Sequence, residues 1–182
     1  MGGFRRWLWG PYPWEKLGKF SGGPLIVEVS GGRDYVYRPH PTTPFTFTRS
    51  TGEVITPRAV VTDGGSIPRP AWLVPGLDPW FYFPAYLIHD WEFVAHHCHA
   101  DFRKSHAAVN DTLCEAVYTL MVTGRVPRDF RNVEWIRRGV GSRVGKRVWD
   151  APWTATMCDV TLDPPPVRFA LVPPVSLTWT FP

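Results

Sequence analysis

Apolar residues along this chain change their period at about residue 63. Between residues 23 and 62 they come in short runs: Leu25-Ile26-Val27-Glu28-Val29, Asp34-Tyr35-Val36-Tyr37, Phe45-Thr46-Phe47-Thr48 and Val54 to Val61. The runs are rich in β-branched and aromatic side chains. Gly22-Gly23, Gly31-Gly32 and Ser50-Thr51-Gly52 separate most of them, which predicts a small antiparallel sheet built of hairpins. Thr46 and Thr48 alternate with Phe45 and Phe47, so that strand should bury one face and expose the other.

Beyond the loop VTDGGSIPRPAW, residues 61–72, the period becomes helical. Tyr86, Leu87, Asp90, Phe93, Val94 and His97 recur at helical spacing and predict a helix from about Pro84 to His97. Ala108, Leu113, Ala116, Val117 and Leu120 give the apolar face of a second, from about Asp101 to Thr123, with Gly124 where a C-cap belongs. A third is expected from about Arg128 to Trp149. It carries Arg131, Arg137, Arg138, Arg143, Lys146 and Arg147, and its Gly139, Gly141 and Gly145 weaken it or allow close backbone contact.

The ends read differently. Residues 1–22 form a basic aromatic arm in which Trp7, Trp9, Tyr12 and Trp14 alternate with Gly and Pro, a pattern no long helix tolerates. Residues 151–182 form an apolar, Pro-rich tail. Pro164-Pro165-Pro166 favours polyproline II, and Phe169 to Val172 and Ser176 to Thr180 suit edge strands. So apolar a tail needs a surface to cover, on its own domain or on a partner chain. The expected architecture is α+β: a single domain, residues 23–150, with a small antiparallel sheet packed on a two- to three-helix unit, and extended arms at both ends.

Composition narrows the class. The chain has 182 residues, enough for one domain with a real core. Hydrophobic residues make up 44% and charged residues 20%, as in soluble globular proteins. Ten Trp and eleven Phe point to a large core or an extended interface. The net charge of +4 permits an anionic partner without specifying one. Cys98, Cys114 and Cys158 are odd in number and widely spaced, which reads as reduced thiols and not as a disulfide framework. No apolar run is long enough for a transmembrane segment. Gly10, Pro11 and Pro13 interrupt the start, a poor signal peptide, and Arg6 stands where a myristoylation signal needs Ser or Thr. No phosphate-binding loop, Gly-x-Ser-x-Gly elbow or RNA-binding aromatic signature is present, so no specific nucleic-acid partner is expected.

The chemistry concentrates in Pro84 to Val117. A His-Asp pair in a core-facing helix is costly unless it is paired, ligating a metal or reacting, so His89 and Asp90 mark the candidate site. The imidazole could serve as general base on water while the carboxylate holds a cation or orients a ligand. Such a base needs a partner on a facing helix to fix its tautomer, for which Asn110 and Asp111 are the candidates. Equally, His89 and Asp90 could be a buried hydrogen-bonded pair that ties the helices to the preceding loop. His96, His97, Cys98, His99 and Asp101 form a second patch, of residue types that zinc favours. It lacks a distant Cys or His pair, and a solvated helix end is the competing reading.

The motifs resemble a phage-encoded family of unknown function, the one numbered 1353 among such domains. Its members show a strand, a TDFASVPR-like loop, a helix with HDYLY and a helix with SRAEADxxFxxAL. Here these are Thr62 to Arg69, His89-Asp90-Trp91-Glu92-Phe93, and Ser105 to Val117, within a match over roughly residues 54–140. A weaker resemblance is to the small bacterial and fungal phospholipases A2, with His-Asp-x-x-Tyr on one helix and Asp on the next. It implies His89 as base, Asp90 as calcium ligand, and Asp63, Gly64 and Gly65, with Ser66 and Arg69 beside them, as a binding loop. Phe93 stands where that pattern has Tyr, and Asn110 where it has Asp.

These readings lead to a phage virion component, of the tail or baseplate, with a largely structural His-Asp centre. It would be made in the host cytoplasm, be carried in the virion and contact other phage structural proteins or further copies of itself. The alternative is a metal-dependent hydrolase, with calcium or zinc, that attacks envelope lipid or peptidoglycan during infection or lysis.

Overall fold

The computed structural model describes residues 16–30, 34–62, 80–154, 158 and 177–179. Among these residues the chain is an α+β fold with two antiparallel sheets and a helical unit. The strands are β1 (Lys19–Ser21), β2 (Leu25–Ser30), β3 (Asp34–Tyr37), β4 (Thr46–Thr48), β5 (Val54–Ile55), β6 (Val60–Thr62) and β7 (Leu177–Trp179). The helices are α1 (Phe83–Cys98), α2 (His106–Val122), α3 (Phe130–Val140) and α4 (Arg143–Asp150).

Strand order is β1-β4-β5 in one sheet and β6-β3-β2-β7 in the other. Register explains which side chains meet. In the first sheet Phe20 lies opposite Phe47, which lies opposite Ile55, and all three are buried. The rings of Phe20 and Phe47 are 4.6 Å apart. Thr46 and Thr48 flank Phe47 half-buried, the alternation that the sequence predicts. In the second sheet Val27, Tyr37 and Val60 form one buried row across three strands.

Three sequence expectations change. The run Val54 to Val61 is two strands in different sheets. Pro57 has no N–H for a ladder, and the chain passes from one sheet to the other there. Lys19–Ser21, placed by sequence in the arm, is a strand with Phe20 in the core. The single helix expected from Arg128 to Trp149 is two. It stops at Gly141, and the Ser142 hydroxyl accepts from Gly145 N at 3.3 Å to start the next. A Cβ on Gly145 would lie 2.1 Å from the Val140 carbonyl oxygen, so the close backbone approach is real. The expected edge strand at Phe169 to Val172 lies outside the described residues, whereas β7 falls within the one expected at Ser176 to Thr180.

The helices begin and end where local chemistry dictates. Pro84 sits in the first turn of α1, where its missing N–H costs nothing. The Ser105 hydroxyl caps α2 by accepting from Ala108 N at 3.2 Å, so this helix starts later than its apolar spacing suggests. Gly124, at φ +73°, terminates it as expected, with Arg125 N donating to the Leu120 carbonyl at 2.9 Å. α1 packs on α2, α2 on α3 and α3 on α4, while β6 lies against α1.

The cysteines also differ from expectation. Cys98, the last residue of α1, is bonded to Cys158, with their Cα atoms 5.5 Å apart. Cys114 is buried and free, and burial, with Asp111 nearby, pushes its thiol up to about 12, which leaves it inert. The bridge joins residues 60 apart and encloses α2, α3 and α4. A loop of this size constrains the unfolded chain by roughly 4 kcal/mol. Cys158→Ser should therefore lower the urea midpoint markedly, and reductant should bring the wild type to the same value. Coincident midpoints without reductant would mean that the bridge is not closed in solution.

Candidate functional site

α1 carries His89 and Asp90 toward β6 and α2. His89 is buried, and its Nε2 lies 3.1 Å from Asn110 Oδ1 on α2. An amide oxygen can only accept, so Nε2 carries the hydrogen. The amide nitrogen of Asn110 lies 3.2 Å from His106 Nε2 and donates to it. The Val140 backbone lies beside the His106 ring. A chain of hydrogen bonds thus links His89 on α1 through the Asn110 amide to His106 on α2. Nδ1 of His89 is left with its lone pair and sits 3.9 Å from Asp90 Oδ1, too far for a hydrogen bond. Asp90 is fixed instead by the Thr62 hydroxyl, which donates to its Oδ2.

Aromatic rings wall this centre. Phe93 lies 4.7 Å from the His89 ring and 5.0 Å from Trp149, which α4 inserts almost completely buried. Trp149 stacks on His96 at 3.7 Å, and Trp153 stacks on His97 at 4.6 Å. The His96 and His97 rings lie 4.7 Å apart, but the four candidate metal ligands do not converge. His96 and His97 are engaged by separate indoles, the His99 ring packs 5.4 Å from Trp91, and Asp101 is exposed. Cys98 is spent in the disulfide. Among the described residues no group of three or more His, Cys, Asp or Glu converges to hold a metal ion.

One turn after His89, Glu92 enters a second buried cluster. Lys104 Nζ donates to Glu92 Oε1, to Thr112 Oγ1 at 2.8 Å and to Glu53, with Oε1 at 2.9 Å. Arg49 joins Glu53 at 3.1 Å to Glu115 at 2.9 Å, and Ser50 N donates to Glu115 Oε1 at 2.6 Å. Glu92 and Glu115 are about as buried as any leucine of the core. Burial pushes the Glu92 carboxyl up to about 7, while the Lys104 ammonium draws it down. Its Oε2 has no hydrogen-bond partner among the described residues, which is where the proton would sit.

Of the sequence candidates, the structure brings together His89, Asp90 and Asn110. Asn110, not Asp111, meets the imidazole, because Asp111 is turned about 100° round the helix. Asp63, Gly64, Gly65, Ser66 and Arg69 lie outside the described residues, although Thr62, which bonds Asp90, immediately precedes them. Sequence reasoning passes over Glu92, Lys104 and Trp149, and holds Thr62 only as the start of the loop to which the His-Asp pair could tie the helices. Glu92 had a signal, a carboxylate three residues from His89 and so on the same face. Trp149 had none, since only tertiary packing brings α4 over the site.

Compared with known proteins, the chain matches no family model, no curated protein and no solved structure.

Two outcomes test this geometry. Asn110→Leu leaves the buried donor of His89 and the acceptor of His106 unpaired, and should destabilise by about 2–4 kcal/mol in urea unfolding. Loss below ~0.5 kcal/mol would show that the relay is not formed. Glu92 has a folded value near 7, above its ordinary 4.5. Its contribution is therefore whole at low pH, falls as pH rises from about 4.5, and is lost above about 7, by roughly 3 kcal/mol. His97 and His106 are held below their ordinary value, chiefly by burial, and act in the opposite sense over an overlapping range. The measurement is thus a difference: Glu92→Gln should gain on wild type between pH 5 and pH 8. A parallel pair of stability curves would exclude the raised carboxyl.

Proposed function

We propose that this chain is a phage virion component, of the tail or baseplate, and that its His89–Asp90 centre holds helices together instead of turning over a substrate. The observation that carries this reading is the partner of the imidazole. Nε2 of His89 meets the amide oxygen of Asn110, not a carboxylate. An amide fixes the tautomer but does not neutralise the imidazolium that a general base becomes. In serine proteases the matching change from Asp to Asn costs about 10⁴ in rate.

The phage assignment is supported by the motif order from Thr62 to Val117, which resembles the phage-encoded family. The Cys98–Cys158 bridge supports a destination outside reducing cytosol, as a particle released from its host would have. Contact with neighbouring subunits is supported by the outer face of the four-stranded sheet. Ile26 and Val61 are exposed there on the same face as Glu28.

Mass spectrometry of purified particles tests membership directly, and the protein should be present at a fixed ratio to the major tail proteins. Its absence from infectious particles would end the virion reading. Phospholipid and peptidoglycan release assays, run with calcium or zinc on wild type beside His89→Ala, should show no turnover. Turnover that disappears in the variant would put the metal-dependent hydrolase first.

A further inference from the structure

The segment from Asp129 to Asp150 carries six basic and three acidic side chains, a surplus of three in a chain whose net charge is +4. Part of that charge is neutralised locally. Arg131 pairs with Asp129, Arg137 and Arg138 pair with Glu134, and Lys146 pairs with Asp150. Arg143 and Arg147 have no ion-pair partner among the described residues. One turn apart on α4, both are exposed, and with Lys146, Asp150 and Ala151 they line an open depression of about 470 Å³.

The residues beside them are apolar. Val144 is 69% exposed and Val148 47% exposed, four residues apart on the stripe next to Arg143 and Arg147. The helix is not a loose end. Trp149 is buried against His96, and Ser142 caps the first turn. α4 therefore holds a basic stripe and an aliphatic stripe outward in a fixed orientation. The preceding helix repeats the composition, with Trp135 59% exposed three residues before the exposed Arg138.

We propose that α4 is a contact surface for anionic phospholipid, with Arg143 and Arg147 on headgroup phosphates and Val144 and Val148 at the level of the first acyl carbons. A nucleic-acid backbone would satisfy the guanidinium groups and leave both valines in water. A bilayer interface offers phosphate and hydrocarbon within the width of one helix. The inference stands independently of virion membership, because it rests on α4 and not on the His89 centre.

The test is co-sedimentation of the full, disulfide-bonded chain with phosphatidylcholine vesicles, with and without phosphatidylglycerol. Binding should require phosphatidylglycerol and weaken with added salt. Arg143→Glu combined with Arg147→Glu should weaken it on the order of 30-fold, and Val144→Ser combined with Val148→Ser roughly tenfold. All four side chains are exposed, so the circular dichroism of both variants should match wild type. No binding to phosphatidylglycerol vesicles would overturn the proposal. So would binding indifferent to the two valines, or binding to duplex DNA as tight as to vesicles. Either of these last results would mark a general polyanion contact.

Discussion

Two carboxylates, Glu92 on α1 and Glu115 on α2, sit where the core has almost no water. A bare buried carboxylate costs several kcal/mol, so each must be met by a cation or hold its proton. Arg49 reaches Glu115 from the end of β4, and Lys104 reaches Glu92 from just before α2, with Glu53 between the two bases. These contacts fix the β4–β5 hairpin over the helix pair. The cluster holds three acids and two bases, and so carries an unbalanced negative charge when every group is ionised. Burial raises the Glu92 carboxyl to about 7, so its protonation near neutrality removes that imbalance.

The same constraint sets the His89 centre. Glu92 and His89 share a face of α1, so anchoring one presents the other to α2. Asn110 then meets the imidazole, and its amide nitrogen would be a buried unsatisfied donor if His106 were not one turn before it on α2. His106 also decides which way round the amide lies. By accepting from Nδ2 it leaves Oδ1 for His89, so the tautomer follows from a residue that never touches the ring it controls. Trp149 closes the assembly from α4, 5.4 Å from His106 and 5.0 Å from Phe93.

How much of this was legible in the sequence depends on range. The strand at Asp34 to Tyr37 and the helix from Pro84 to His97 carry their signal locally, in apolar period and flanking breakers, and both are found to within a residue. The run from Val54 to Val61 carries a uniform β signal, and only the missing donor of Pro57 hints that it crosses between sheets. For the partner of His89 the sequence leaves two candidates, Asn110 and Asp111, and only the packing of α1 on α2 selects Asn110. The pairing of Cys98 with Cys158 was not legible, since 60 residues of intervening chain decide it. The four-residue patch from His96 to His99 looks ligand-rich in one dimension. On a helix, however, consecutive residues diverge by about 100°, and although the His96 and His97 rings still touch, each is stacked on its own indole.

The distance between a latch and a base is small here and can be stated in atoms. The imidazole of His89 has its Nε2 hydrogen engaged and its Nδ1 lone pair directed to the side of Asp90, the arrangement a water-activating histidine requires. Two features support the structural role we propose for it. The orienting oxygen belongs to an amide, so no charge develops opposite the ring when it takes a proton. Asp90 accepts from Thr62, which commits one carboxylate oxygen to the sheet instead of leaving both for a cation. A single atom of Asn110 separates the two behaviours, but supplying that carboxylate would take from His106 the hydrogen it now accepts. The one amide therefore satisfies both histidines at once, and the structural role we propose for the site rests on that fit.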